Sequence, residues 1–588
     1  MTAPTLRTHP LVLRRLEVAR TATVNARTVR VTLTGEQLDG FRAAGRAQPA
    51  FASPAFDDHV KIIFADGGRI EDALPVQLPH GIEWPRAENR LTRDYTPRAV
   101  RAEARELDLD FVLGHQGPAA GWARRARPGD AVWIVGPKSS TVLPAGLDWI
   151  VLLGDETALP AVARFLEERP TTAPADVYLT IGDPAARVDL PTRPGDRVHW
   201  IEDPEHDQGT PLRLIRDHPW REGAGYVWGA GESRALLPVR RHLRNERGLD
   251  RARISVTGYW HESAPEPRAG PGGPPGVPEL GSATVAWFAV RAALRLSVLD
   301  TLAGAGRLPL PELAARAGVA PAGLGPLLAV LAARDIVELT ADSVALGTAG
   351  AELVNDEHAR EGFDGFDAEV LLSLAALDDT LRHGASGWAR SHGATAWEAA
   401  AQDPEIYGEF VERGEALGFV LDALAAEPAV ATAGHIALSG PGAAVVADVL
   451  RDRGVTARLT VTGSGTALGV LRPRVRSHGI GFVAGRVPAD LAVSALALGP
   501  RTDEEAVAAL ASLRAVADTL LVVESLRPDE LGQGAADQGV LRMALTGAPP
   551  RSPAAVRALA EAAGWRFDRG VALGWGYEAL ALTSTRGG

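Results

Sequence analysis

A chain of 588 residues with a net charge of −12 and no cysteine excludes several functions before any motif is read. The length predicts about three to five domains, and the acidic balance gives no electrostatic support for a nucleic-acid or membrane role. Without thiols there are no iron–sulfur clusters, thiolate zinc sites, cysteine nucleophiles or disulfides, so redox chemistry needs an organic cofactor or a haem.

In chain order, short β-branched or apolar runs come first: 29–33 (VRVTL), 59–64 (HVKIIF) and 131–135 (AVWIV). They predict a small antiparallel β-barrel over residues 1–147. From 148 to 261 the pattern is apolar strand, glycine turn, amphipathic helix. Strands at 149–153, 177–181 and 226–228, with a helix over 161–168, predict a parallel α/β domain. Residues 262–280 are dense in Pro and Gly and read as a linker. Beyond it, 283–339 is helical by period and closes on a short strand at 336–339. A turn at Asp342 and Ser343 leads to 344–346, the outline of a winged-helix element within a helical region 281–427. A second α/β pattern, Rossmann-like, fills 428–588. No apolar run reaches the ~18 residues of a membrane helix, and none follows Arg7, Arg14 and Arg15, so a cytoplasmic protein is expected.

The hexapeptide Arg93-Asp94-Tyr95-Thr96-Pro97-Arg98 carries the most chemistry. Residues two apart on a strand share a face, so Arg93 and Tyr95 point the same way. A guanidinium suits a pyrophosphate and a phenol ring suits a flat heterocycle. An Arg and a Tyr near a turn, with no ligand, fit the spacing equally well. Thr96 falls on the opposite face, so any ring contact comes from its backbone or from the break at Pro97. Further on, Gly154-Asp155-Glu156-Thr157 follows a strand and opens a helix, with Thr157 the expected N-cap and Pro160 in the first turn. Physics alone favours an acidic, well-capped helix start, because Asp155 and Glu156 repel phosphate.

These motifs resemble, in order, the siderophore-interacting branch of ferredoxin-reductase-like flavoenzymes. RDYTPR is followed by 110–115 (DFVLGH), 117–120 (GPAA), 122–123 (WA), 128–130 (PGD) and 136–137 (GP), then GDETALPA from Gly154 and Ala230-Gly231-Glu232. The resemblance spans most of residues 10–265. It implies FAD held by Arg93, Tyr95, Thr96, His115, Gly117, Ala119 and Ala120, with His115 one residue out of the family's register. It implies NADPH or NADH at Asp155, Thr157, Gly231, Glu232 and Trp260. Asp183 suits a ribose hydroxyl and Arg187 a 2′-phosphate. The substrate implied is a ferric siderophore, drawn by Lys61, Lys138 and, where the family usually has Arg after Gly-Tyr-Trp, His261. The chelate fills the iron's coordination sphere, so no metal ligands are expected, and no pair of histidines has ligand spacing with a third partner. The activity implied is reduction of chelated Fe(III) by NAD(P)H through the flavin.

Residues 281–588 are similar to winged-helix, dimeric small-molecule O-methyltransferases, through 294–302 (LRLSVLDTL), 327–333, 348–350 (TAG), Trp397, Asp403-Pro404 and 521–524 (LVVE). Three positions depart from that family. The loop 436–442 (IALSGPG) lacks its acid, 461–464 (VTGS) lacks the ribose acid, and the expected general-base His is Gly499. The expectation is an inactive module forming a homodimer through residues 281–427, with the reductase tethered outside. A methyltransferase carrying a reductase-like domain, and a siderophore-binding scaffold, are the alternatives.

Overall fold

The computed structural model describes residues 5–85, 87–113, 117–260, 277–526 and 535–585. The first domain is built on a seven-stranded antiparallel sheet, with three two-stranded ribbons beside it. The strands of the large sheet are β1 (Leu13–Asn25), β2 (Thr28–Thr34), β3 (Val60–Ala65), β4 (Arg90–Tyr95), β5 (Pro97–Arg101), β6 (Glu106–Val112) and β7 (Ala131–Val135), in the order β5-β6-β2-β1-β7-β3-β4. The two end strands, β4 and β5, are separated in sequence by Thr96 alone, so the sheet curls back on itself around Leu16, Leu33, Ile62, Leu109 and Phe111.

A five-stranded parallel sheet follows: β8 (Trp149–Gly154), β9 (Ala175–Ile181), β10 (Arg197–Glu202), β11 (Gly225–Glu232) and β12 (Ile254–Trp260), ordered β10-β9-β8-β11-β12. Every residue of β8 is buried, as its unbroken apolar run demands of a strand covered on both faces. Helix α1 (Leu159–Glu168) packs its apolar stripe on one face.

The second half opens on helix α2 (Val277–Arg295), already under way before the boundary at 281 that composition implied. The linker residues 262–276 lie outside the described residues. Helices α3 (Leu310–Ala317) and α4 (Pro321–Ala332) lead to a three-stranded antiparallel sheet of 308–309, 343–346 and 337–339. The last domain is a seven-stranded sheet. Five parallel strands, β13 (His435–Ser439), β14 (Arg458–Gly463), β15 (Ile480–Ala484), β16 (Leu491–Ala495) and β17 (Thr519–Ser525), meet a terminal hairpin of β18 (Trp565–Gly574) and β19 (Tyr577–Ser584), ordered β15-β14-β13-β16-β17-β19-β18. Helix α5 (Ala535–Thr546) crosses between β17 and β18.

The halves do more than hang from one linker, which corrects the tethered arrangement expected above. The hairpin tip lies on the barrel, where Trp575 N donates to Ile82 O at 3.2 Å and Gly576 N to a Glu83 carboxylate oxygen at 3.0 Å. Arg234 pairs with Glu352 at 2.5 Å. Linker composition says how loosely two domains are joined, not which of their surfaces fit. No single helix among the described residues is long and apolar enough to cross a membrane.

Candidate functional site

Three groups of side chains gather at the junction of the first two domains. On β4, Arg93 is exposed, and its Nη1 donates only to the neighbouring Thr92 carbonyl at 2.8 Å, leaving the guanidinium without an acidic partner among the described residues. Tyr95 packs on Phe111 with ring centroids 4.3 Å apart, and burial pushes its phenol up to about 12. Thr96 is buried at the break between β4 and β5. The short helix Pro118–Ala123 begins after Gly117, and the amides of Ala119 and Ala120 in its first turn meet no acceptor among the described residues. A guanidinium with no acidic partner and two amides with no acceptor, all counted among the described residues, together with a half-buried phenol, suit a flavin dinucleotide. His115 lies outside the described residues.

The second group is organised by Asp155. Its Oδ1 accepts from Thr157 N at 2.8 Å and Thr157 Oγ1 at 2.5 Å; its Oδ2 accepts from Glu232 N at 3.1 Å and Trp260 Nε1 at 2.8 Å. Glu232 in turn caps the helix Ser233–Arg241 by accepting from Ala235 N at 2.8 Å. Gly231 has φ 156°, and a Cβ there would stand 2.7 Å from Asp155 Oδ2, so only glycine lets the loops close. Of the five residues expected at the nicotinamide, Asp155, Gly231, Glu232 and Trp260 line one small cavity, and Thr157 joins them only through its hydrogen bonds to Asp155.

Two expectations change. Thr157 is not the N-cap of α1; Ala158 is, with no side-chain cap, because Asp155 takes the Thr157 hydroxyl. The acids also need not repel phosphate. Asp155 is saturated by donors, and Glu156 accepts from Gly182 N at 2.9 Å and pairs with Arg27 at 2.8 Å. Asp183 is spent on capping a turn through Ala185 N, and Arg187 pairs with Glu202 at 2.7 Å.

The third group is cationic. Across β3 and β4, Lys61 stands opposite Asp94 and binds it at 2.9 Å. The Lys138 ammonium lies 4.9 Å from the centroid of the Phe419 ring, contributed by the second half. Burial lowers the Lys138 pKa, while Asp94 raises it and Lys61 lowers it, so both lysines face the same carboxylate. His261 lies outside the described residues.

Sequence reading missed two members. Asp57 is held by burial, with Asp58 beside it, at about 6, and accepts from Trp228 Nε1 at 3.2 Å across the domain junction. The adjacent acids Asp57-Asp58 ahead of a strand were the available signal. Phe419 gave none, being 281 residues from the lysine it touches.

The departures in the second half are also explained locally. Gly442 N donates to Ala495 O at 3.1 Å, drawing the 436–442 loop onto β16. Ser464, where a ribose acid was expected, caps the helix Gly465–Leu471.

Comparison with known families places the molecule. Residues 17–141 match the siderophore-interacting FAD-binding domain and residues 147–263 match the siderophore-interacting protein model. The chain belongs to the siderophore-interacting protein family. Ferric vibriobactin reductase ViuB of Vibrio cholerae is 31% identical over 251 residues, covering 42% of this chain and 89% of that protein. The NADPH-dependent ferric-chelate reductase of Escherichia coli is 31% identical over 257 residues, covering 43% and 94%. The solved structure of the mitomycin 7-O-methyltransferase MmcR is 19% identical with a TM-score of 0.41, covering 53% of this chain and 97% of that one.

Proposed function

We propose that this protein is a flavin-dependent ferric-siderophore reductase of the cytoplasm that takes hydride from NADPH or NADH and releases iron as Fe(II). The ferric reductases among its relatives support the substrate, and the E. coli relative supports the phosphorylated nicotinamide. The observation that carries the reading is the register of β3 on β4. It sets Lys61 opposite Asp94, on the ribbon face away from Arg93 and Tyr95, which supports a reading in which one two-stranded ribbon serves the flavin with one face and the anionic chelate with the other.

Bound FAD supplies two-electron acceptance from the nicotinamide and one-electron delivery to iron. The chain's own residues hold and orient. Arg93 and the amides of Ala119 and Ala120 take the pyrophosphate, and Tyr95 and Thr96 bound the ring; the family resemblance adds His115. Asp155 locks Thr157, Gly231, Glu232 and Trp260 into a nicotinamide shelf. Lys61, Lys138 and His261 draw in an anionic chelate.

The second half, 281–588, we read as a module without methyl transfer whose helices and three-stranded sheet form a winged-helix dimerisation region over 281–427. Val285 and Phe288 on α2 support a homodimer. They are 58% and 51% exposed on a helix whose Ala289, Val290, Ala293 and Leu294 are buried.

The test is anaerobic. NADPH or NADH should bleach a yellow protein, and a ferric catecholate should restore the colour while a ferrous trap develops. Failure of both nicotinamides to bleach bound flavin overturns the reductase in favour of a binding scaffold. Micromolar binding of S-adenosylmethionine favours the methyltransferase reading instead.

A further inference from the structure

A cavity of about 680 Å³ opens in the second half, at the carboxyl ends of β16 and β17 and against α5. Phe366, Val370, Phe410, Leu496, Leu541 and Leu545 give it an apolar lining. Phe366 and Phe410 meet edge to face at 5.4 Å, leaving flat walls of the kind that take an aromatic guest. The volume lies within the range of small-molecule sites.

Its charges do not balance internally. Arg413 is paired with Asp367, and with Glu409 at 3.5 Å. Arg551 is held by Asp503 at 2.7 Å and by the carbonyls of Leu498 and Arg501 at 2.5 and 2.8 Å. Arg542 lines the same cavity, and its side chain makes no hydrogen bond or ion pair among the described residues. Glu524 is 2% exposed, and its Oε1 accepts from Leu498 N at 2.6 Å. Oε2 makes no hydrogen bond or ion pair among the described residues, and Glu524 lines the cavity. Burial raises the Glu524 carboxyl above its ordinary range, which weakens it as a counter-ion for Arg542.

Gly499 explains how the arginine gets there. A Cβ at 499 would stand 2.9 Å from Arg542 Nη2 and 3.9 Å from Glu524 Oε2, so any side chain displaces the guanidinium. The position that reads as a lost general base is the space that admits a cation. Both polar atoms therefore lie on the same wall of the cavity, each within 4 Å of the space beside Gly499.

We propose that this cavity binds a small aromatic carboxylate, with Arg542 as its counter-ion and Glu524 Oε2 hydrogen-bonding a hydroxyl ortho to the carboxylate. One unpaired guanidinium calls for one negative charge, because a dianion leaves excess charge buried. Neither flavin nor iron enters this argument, so it stands apart from the reductase reading.

Isothermal titration of the full chain with 3-phenylsalicylate tests it, against the neutral analogue 2-phenylphenol. The acid should bind one per chain, at least tenfold tighter than the phenol. R542Q should lose at least tenfold for the acid and little for the phenol, and G499H should weaken the acid likewise by displacing the guanidinium. R542K, which keeps the charge, should keep the preference for the acid and guards against misfolding of R542Q. Equal affinity of acid and phenol, no saturable binding, or undiminished acid binding by R542Q overturns the proposal.

Discussion

Replacing Asp155 by alanine separates loop architecture from flavin binding. Among the described residues the carboxylate receives four hydrogen bonds from three chain segments: Thr157 beside it, Glu232 77 residues on, and Trp260 105 residues on. At about 1 kcal/mol net apiece these sum to about 4 kcal/mol, and partial exposure of the loops trims the loss to about 2–3 kcal/mol. That is too little to unfold a domain whose β8 is buried throughout, and enough to release the shelf proposed for the nicotinamide. Misplacement by about 1 Å costs hydride transfer roughly 100-fold. In stopped flow, D155A should hold a full complement of FAD and bleach normally with dithionite, while its bleaching by NADPH slows by about two orders of magnitude. An unchanged NADPH rate would refute the organising role. Loss of FAD along with the rate would show that the carboxylate supports the barrel instead.

Arg93→Ala should purify largely colourless, with FAD affinity down by about 10- to 100-fold, since a charge-assisted pair is worth about 1.5–3 kcal/mol; full flavin retention sinks the assignment. Asp57 carries a pH signature. Its folded value of about 6 lies above the ordinary 3.8, so the folded state binds more protons in between and stability falls as pH rises through that window. Asp57→Asn removes this loss, amounting to about 2–3 kcal/mol, so its gain in melting temperature should be larger at pH 8 than at pH 4, and an equal gain at both contradicts the burial argument. Val285→Glu with Phe288→Glu should convert a dimer to a monomer by light scattering, whereas a wild type already monomeric defeats the dimer.

What was legible in the sequence was what the chain writes locally. Arg93 and Tyr95 share a face because strands alternate, and β8 announced itself as a run of apolar residues. Asp155 was visible as a residue but not in its role, because its partners come from two other strands and turn an apparent repulsion for phosphate into a loop clamp. Thr157 satisfied every local rule for an N-cap and lost its hydroxyl to that clamp. The pairing of Lys61 with Asp94 required the register of two strands, and Gly499 read as a lost general base until Arg542, 43 residues on, was seen beside it.

The docking of the terminal hairpin on the barrel also sets a schedule. Gly576 N reaches Glu83 across 493 residues of chain. At ribosomal speeds of about 5–20 residues per second, that edge of the barrel waits about 25–100 s for its partner. During that interval Ile82, against which Trp575 later packs, is without that cover. A nascent chain of this protein is therefore open to chaperones at one edge long after its first domain has emerged, and a late stop codon that removed only the hairpin would be felt at the opposite end of the molecule.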